Sequence, residues 1–566
     1  MRNQEILLAA AIVIVIVAGF AAFILYQRKK SLQQLKAKLA DDYGKLASRI
    51  HTEEQFKVIS YYDQRKREEE PDKPFLDDIT WNDLDMNAVF DLLDVTYSSP
   101  GEEQLYHILR TPETKPDELE RRERLIEWNR ANDEKRRDLQ VTFASLGKTY
   151  RLSRYSYIRQ MIETKPSIDW VSYLPIALFC VALISAFLNP EAGVAALVIV
   201  LFVNLFLYLG RAKKINDYLN AISFIKRLAE NAAKASVILN ELPEYSEALT
   251  KYAKTIRRGL RGSGLISKGA QNGSLEEILL DYLRMVTHID LIVFNRIIRE
   301  LYKGADDLLG LYDLIGFLEA MTATASFRSA DLTWCRPELT DTGRVGKASL
   351  EFMDAYHLMI EKPVPNSFKV SGGALFTGSN ASGKSTFLKT AAICAVLAQS
   401  IITVPASSYR ASYFRIYTSM ALRDDLRQKE SYYIVEIKSL KRILEGLDED
   451  TPTLCLIDEV LRGTNTIERI AASAQILRGI GQSRAVCLAA THDIELTRML
   501  ENIYDNYHFQ EEIEEGDIHF DYHLYKGRAK SRNAIRLLSV IGYSDEIIDK
   551  ANTSARRFEE TGIWSL

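Results

Sequence analysis

The stretch Leu375-Phe376-Thr377-Gly378-Ser379-Asn380-Ala381-Ser382-Gly383-Lys384-Ser385-Thr386 constrains this chain more than any other. Gly378 and Gly383 permit a turn in which successive backbone N–H groups face one anion, Lys384 adds a point charge, and Ser385 offers a hydroxyl to a divalent cation. Such a loop works between a buried strand and a helix N-terminus, where peptide dipoles favour phosphate. Its flanks suit it. Residues 374–376 are apolar and follow the break Ser371-Gly372-Gly373, while 387–397 are apolar, alanine-rich and helix-prone. ATP with Mg²⁺ is therefore the expected ligand. Gly378, Ser379, Asn380, Ala381, Ser382, Gly383, Lys384, Ser385 and Thr386 would cradle the phosphates, and Ser385 would also reach the metal.

Two later apolar runs supply the chemistry that such a loop needs. Residues 453–457 form a buried strand that ends in Asp458-Glu459, with Asp458 suited to the Mg²⁺ shell and Glu459 to the base that orients the attacking water. Residues 485–490 form a second strand, delivering Thr491-His492 to the same edge, where His492 would sense the terminal phosphate. The alternation Ile518, Phe520, Tyr522, Leu524 predicts an antiparallel strand paired with 507–509 across a turn at 511–517. These strands predict an α/β domain with a mostly parallel sheet and ligands at the strands' carboxyl ends.

Ahead of this domain the pattern is helical and partly membrane-like. Residues 6–26 are almost unbroken Ile, Val, Ala, Leu and Phe, long enough to cross a hydrocarbon core of about 30 Å. A cleaved signal peptide is the rival reading, but Arg28-Lys29-Lys30 follows at once. Residues 170–188 and 192–209 are two further apolar runs, separated by Asn189-Pro190-Glu191 and edged by Trp170, Tyr173 and Tyr208. They predict a membrane hairpin closed by Arg211, Lys213 and Lys214, the alternative being a helical hairpin buried in a soluble core. Basic flanks then place the N-terminus outside and the nucleotide site inside, in a multi-pass protein of the inner plasma membrane with its ATPase domain facing the cytoplasm.

The predicted division is an anchor at 1–30, a charged linker at 31–82, core helices at 83–168, the hairpin at 169–210, long helices at 211–330 and the ATPase domain at 331–566. Within this, 98–101 reads as a turn, and 278–283, 289–298 and 308–318 as helices. Between Lys251 and Ser274 the cations Lys251, Lys254, Arg257, Arg258, Arg261 and Lys268 meet no acidic residue. That stretch is either a solvated helix tip or a contact for DNA phosphates or lipid headgroups. A formal net charge of -4 excludes a global positive field, so any DNA contact must be local. The five cysteines show no metal-ligand spacing and read as small hydrophobes.

Taken in order, several motifs carry a family resemblance. They are Thr377-Gly378-Ser379-Asn380 through Ser385, Val404-Pro405-Ala406, Asp424-Asp425-Leu426 with Glu430-Ser431-Tyr432-Tyr433-Ile434-Val435-Glu436, Asp458-Glu459 with Arg462-Gly463-Thr464-Asn465-Thr466, and Thr491-His492. Together they resemble the ATPase domain of the MutS family of DNA mismatch repair proteins. Residues 83–127 resemble the start of that family's core domain, and 211–330 its lever helices. The resemblance implies an ABC/MutS-like P-loop fold, with a mostly parallel sheet, preceded by an all-α core and lever region; the residues add three transmembrane helices. It also implies a homodimer joined through the ATPase domains, with Ser431 reaching the partner's terminal phosphate; a helix-capping role for Ser431 is the plainer alternative.

The departures matter too. Ser379-Asn380-Ala381 replaces the family's Pro-Asn-Met, the stretch between the first span and Asp83 is too short for a mismatch-reading domain, and no nuclease tail is expected. The resemblance therefore implies a membrane-tethered ATPase whose DNA binding does not use a mismatch-reading domain. The competing reading is a membrane-associated switch acting on a protein or lipid partner. A third, an ABC transporter, lacks its Leu-Ser-Gly-Gly-Gln signature.

Overall fold

Hydrophobic periodicity sorts the chain into a helical half, residues 2–328, and an α/β half from Glu338 onward. The computed structural model describes residues 2–163, 170–266, 284–342, 346–379, 382–420, 432–447, 450–462, 464–514, 517–529, 535, 538, 542–562 and 564. Asn380, Ala381, Ser431, Gly463, Lys268 and the helix expected at 278–283 lie outside the described residues.

The helical half is built around Ala305–Arg328, which buries Leu308, Leu311, Tyr312, Ile315, Leu318 and Met321 and is packed nearly all round. Its closest neighbour is Ser99–Arg110. Gly316 makes that approach possible, since a Cβ there would stand 2.5 Å from the Pro100 carbonyl oxygen. The stretch expected as a turn at 98–101 is instead a helix start: the Ser98 hydroxyl accepts from the Gly101 N–H, and Pro100 occupies a position where no N–H is needed.

The expected charged linker is also corrected. Residues 31–42 continue the first helix, Arg2–Asp42, and Glu53–Glu69 is a packed helix that buries Ile59, Tyr62 and Asp63. Its many charges hide one buried face, on which the Tyr62 hydroxyl lies within hydrogen-bonding distance of Gln104 and Asp313.

Leu174–Leu188 and Pro190–Ile238 form the apolar hairpin. Asn189 caps the second helix by accepting from the Ala192 N–H. Among the described residues, two helices have the length and apolarity to cross a bilayer: Pro190–Tyr208, at mean hydropathy 2.2 and 11% buried, and Ala305–Arg328, at 1.3 and 78% buried. The second is the core helix just described. Leu174–Leu188 has 15 residues, and at about 1.5 Å each it spans roughly 22 Å, short of a full crossing. Three full-length spans are therefore not borne out. Residues 6–26 lie within Arg2–Asp42, where Val15, Phe20, Phe23 and Leu25 are exposed. Beyond Tyr208 the second hairpin helix continues unbroken and buries Phe224, Ile225, Leu228, Ala229, Ala232 and Ala235.

The α/β half holds a six-stranded sheet in the order β12-β9-β4-β8-β7-β6. Its strands are β4 (Gly373–Thr377), β6 (Arg415–Ser419), β7 (Thr453–Asp458), β8 (Ala485–Ala490), β9 (Tyr504–His508) and β12 (Tyr525–Lys526). All pairings are parallel except β12 with β9. A second, mixed sheet, unforeseen in the sequence, runs β1 (Glu338–Thr340), β5 (Ser408–Ser412), β2 (Leu350–Ala355) and β3 (Asn366–Val370). The expected pairing of 518–524 with 507–509 divides in two. Asp517–Phe520 (β11) pairs with Glu511–Glu514 (β10), and only Tyr525-Lys526 pairs with Tyr507-His508. Alternation identifies a strand but not its partner.

Two buried contacts fasten the halves together. At the open edge of the large sheet, Thr418 Oγ1 and the Met420 N–H both donate to Asp83, and Arg442 donates to Asp77. At the far end of the helix Lys384–Ser400, Arg122 donates to the Ser400 carbonyl and Arg328 to that of Ile402. Two guanidinium groups thus sit at the negative end of the phosphate-loop helix.

Candidate nucleotide site

The loop leaves β4 through Gly378, whose φ is 148°. A Cβ there would lie 2.8 Å from the Phe509 carbonyl oxygen and 2.9 Å from Ser382 Oγ, so this position requires glycine. Gly383, at φ 107°, caps the helix Lys384–Ser400. Lys384 is buried, and its ammonium donates to the carbonyls of Gly378 (2.8 Å) and Ser379 (2.7 Å), holding the loop closed. Burial lowers its pKa, against the opposing pull of Asp458, Glu459 and Glu511. Ser382 Oγ is buried without a hydrogen-bond partner among the described residues. Ser379 Oγ donates to Glu511, and Thr386 is exposed at the cavity wall.

The Ser385 hydroxyl donates to Asp458 Oδ2 at 2.6 Å. A hydroxyl and a carboxylate held together beside a lysine are the donor set that Mg²⁺ takes alongside phosphate oxygens. These residues fit an Mg-nucleotide: an orphaned buried hydroxyl, a lysine holding carbonyls in place of phosphates, and a cavity of about 830 Å³. Tyr356, His357, Ile360, Pro363 and Tyr522 form the cavity's other wall, lining it with aromatic and apolar faces. No motif announced that wall, because its residues come from separate loops.

Glu459 follows Asp458 at a turn with φ 62°, and its N–H donates to the Ala490 carbonyl of the neighbouring strand. One carboxylate oxygen lies 2.8 Å from His492 Nε2 and the other 2.7 Å from Arg462 Nε. The hydrogen bond from His492 first, then the charges of Arg462 and Lys384, hold its pKa below the usual range. His492, expected to sense the terminal phosphate, pairs here with Glu459. The Thr491 N–H donates to the Phe376 carbonyl and fixes that strand end beside the phosphate loop.

A residue read only as part of a motif proves central. Glu436, buried in Tyr432–Glu445, accepts from the N–H groups of Leu461 and Arg462 and so clamps the turn after the acidic pair. Burial raises its pKa, while those two N–H groups oppose the rise. Asn465 caps Thr466–Gly481 by accepting from the Ile467 N–H.

Comparison with known proteins agrees with this geometry. The family model for MutS domain V matches residues 374–559. The matched segment is a MutS domain V. MutS protein homolog 4 of Homo sapiens is 30% identical over 266 residues, 46% of this chain and 27% of the relative. DNA mismatch repair protein MutS of Leptospira interrogans serogroup Icterohaemorrhagiae serovar Lai is 29% identical over 294 residues, 49% of this chain and 34% of that protein. DNA mismatch repair protein MutS of Thermus thermophilus is 32% identical over 190 residues, 33% of this chain and 23% of the relative. The MutS likeness thus covers about a third or less of each of these curated relatives.

Proposed function

We propose that this protein is a membrane-tethered MutS-like ATPase that hydrolyses ATP to ADP and phosphate and binds duplex DNA in a nucleotide-dependent way. The observation that carries the reading is the convergence of Lys384, the Ser385–Asp458 pair and Glu459 on one cavity. Bound MgATP would supply the phosphoryl group and the metal charge. Ser385 and Asp458 would hold the metal, Lys384 would turn from its carbonyls to the phosphates, and Glu459, positioned by His492 and Arg462, would orient the attacking water. The site would be completed by Ser431 of a second copy. The apolar hairpin and the N-terminal helix would tether the protein to the inner membrane with the ATPase domain in the cytoplasm.

A second reading is an ATPase switch acting on a protein or lipid partner. The net charge of -4 and the exposed apolar hairpin favour it. Steady-state ATPase of the full-length protein, measured in parallel with matched duplex, mismatched duplex and anionic liposomes, separates the two. Stimulation by duplex DNA supports the first; stimulation by liposomes alone supports the second.

A further inference from the structure

We propose that Arg257, Arg261 and Arg296 form a docking face for the anionic headgroups of the bilayer that the hairpin enters. The inference rests on the membrane reading of that hairpin. Its level is set by contacts at the end of the apolar run. The Tyr208 hydroxyl donates to Asp290 at 2.8 Å, and Asn204 donates to the Val286 carbonyl at 2.8 Å and the Pro175 carbonyl at 3.1 Å. The fully buried His288 ring bonds the Asn204 carbonyl. These bonds pin the start of the helix Ile289–Lys303 beside Tyr208, where the hydrocarbon core would end.

The basic tip lies against that same helix. Pro243–Gly259 packs on the long helix Pro190–Ile238 and runs back toward the hairpin. A Cβ on Gly262 would be 3.6 Å from Val293 and 3.2 Å from the Arg296 guanidinium, while Gly259 faces Glu300 and Leu301. Arg296 follows Ile289 by seven positions, about 10 Å at the helical rise. An arginine side chain covers much of that gap, and the leaflet field reaches roughly 8 Å further at physiological salt.

Charge pairing changes along the same axis. Farther from Tyr208, Lys303 pairs with Glu300 at 2.9 Å and Lys251 approaches Asp307 at 3.8 Å. Nearer to it, Arg261 and Arg296 are exposed, as is Arg257 about one turn back at the level of Glu300, and no carboxylate among the described residues lies within ion-pairing distance of them. Three guanidinium groups with no ion-pair partner among the described residues, two of them at the membrane-facing end, suit an anionic leaflet. A DNA duplex laid against them would collide with the bilayer and be repelled by the same headgroups.

The test uses full-length protein carrying Gly264→Cys, a position facing open space, with Cys180→Ser and Cys335→Ser. A fluorophore at residue 264 is read in nanodiscs containing a headgroup-nitroxide quencher, in phosphatidylcholine alone or with phosphatidylglycerol. We expect quenching that rises with phosphatidylglycerol and falls with salt. Adding Arg257→Gln, Arg261→Gln and Arg296→Gln should raise the half-saturating phosphatidylglycerol fraction at least about fivefold, the worth of one such cation, with melting temperature and ATPase kept. Quenching indifferent to phosphatidylglycerol, in protein that resists carbonate extraction, overturns the docking face and leaves the membrane reading standing. Extraction by carbonate overturns both. If the triple variant loses duplex DNA binding while its lipid response is unchanged, the face is a DNA contact and the proposal fails.

Discussion

Replacing Arg328 by alanine should loosen the junction between the two halves of the protein and destabilise the chain more than any surface change. The guanidinium is fully buried and makes a two-armed pair with Glu123, one arm at 3.1 Å and the other shorter. It also donates to Thr403 Oγ1 at 2.7 Å, to the Ile402 carbonyl at 2.8 Å and to Glu127 at 2.9 Å. Removal leaves Glu123 charged and largely buried, a loss of about 3–5 kcal/mol. The Glu127 arm is half exposed and adds little. Arg336, 3.7 Å from Glu123 but mostly exposed, recovers a fraction. Thermal unfolding of the full-length protein in detergent should show a midpoint lower by about 3–4 °C, given the unfolding entropy of a chain this long. The Trp334 indole donates to the Arg328 carbonyl and lies under its guanidinium, so its fluorescence should shift in the same variant. Arg328→Met with Glu123→Gln should lose less than the two single changes added together. A midpoint for Arg328→Ala within about 1 °C of an exposed control such as Lys362→Ala would refute this account of the junction.

Glu103 provides a pH test. Burial pushes its carboxyl up to about 8, although Tyr312 and Ser153 donate to it. Folded protein thus keeps a proton that the unfolded chain has lost, so stability should be fullest near pH 4.5 and fall as pH rises to about 8. Glu103→Gln should flatten this slope in denaturant melts; an unchanged slope counts against it. Gly378→Ala, forcing a Cβ into the Phe509 carbonyl, should abolish nucleotide binding by displacing the loop, read by titration with a fluorescent ADP analogue. Glu436→Gln keeps one acceptor for the Leu461 and Arg462 N–H groups and should lower turnover more than nucleotide affinity, whereas equal losses in both would point to general unfolding. If Ser431 acts in trans, mixing inactive Lys384→Ala and Ser431→Arg subunits should restore one site per heterodimer; no recovery in confirmed heterodimers whose Ser431→Arg subunits lose nucleotide on their own would oppose it.

The parts of this protein legible in its sequence are those where one local pattern decides the outcome. The strand at 374–376, the helix beyond Lys384 and the strands at 453–457 and 485–490 are uniformly apolar runs ended by glycine or charge, and each appears where the pattern places it. Patterns failed where burial is one-sided or pairing is distant. Glu53–Glu69 looks solvated because Ile59 and Tyr62 are outnumbered by charges on its other faces. The second sheet joins Glu338–Thr340 to Ser408–Ser412 across intervening chain, which no local signal encodes. The site followed the same rule. Lys384, Ser385, Asp458 and Glu459 were readable, whereas Glu436's hold on Leu461 and Arg462 spans separate elements and emerges only in three dimensions.

The claim that one cavity binds and hydrolyses MgATP is tested most directly by comparing nucleotide binding and turnover in wild type, Lys384→Ala and Glu459→Gln. Lys384→Ala removes the buried charge at the phosphates and should lose both binding and turnover. Glu459→Gln should still bind ATP, yet turn over on the order of a hundredfold or more slowly and retain unhydrolysed ATP after rapid desalting. Equal loss of affinity in both variants, or undiminished hydrolysis by Glu459→Gln, would contradict the assignment.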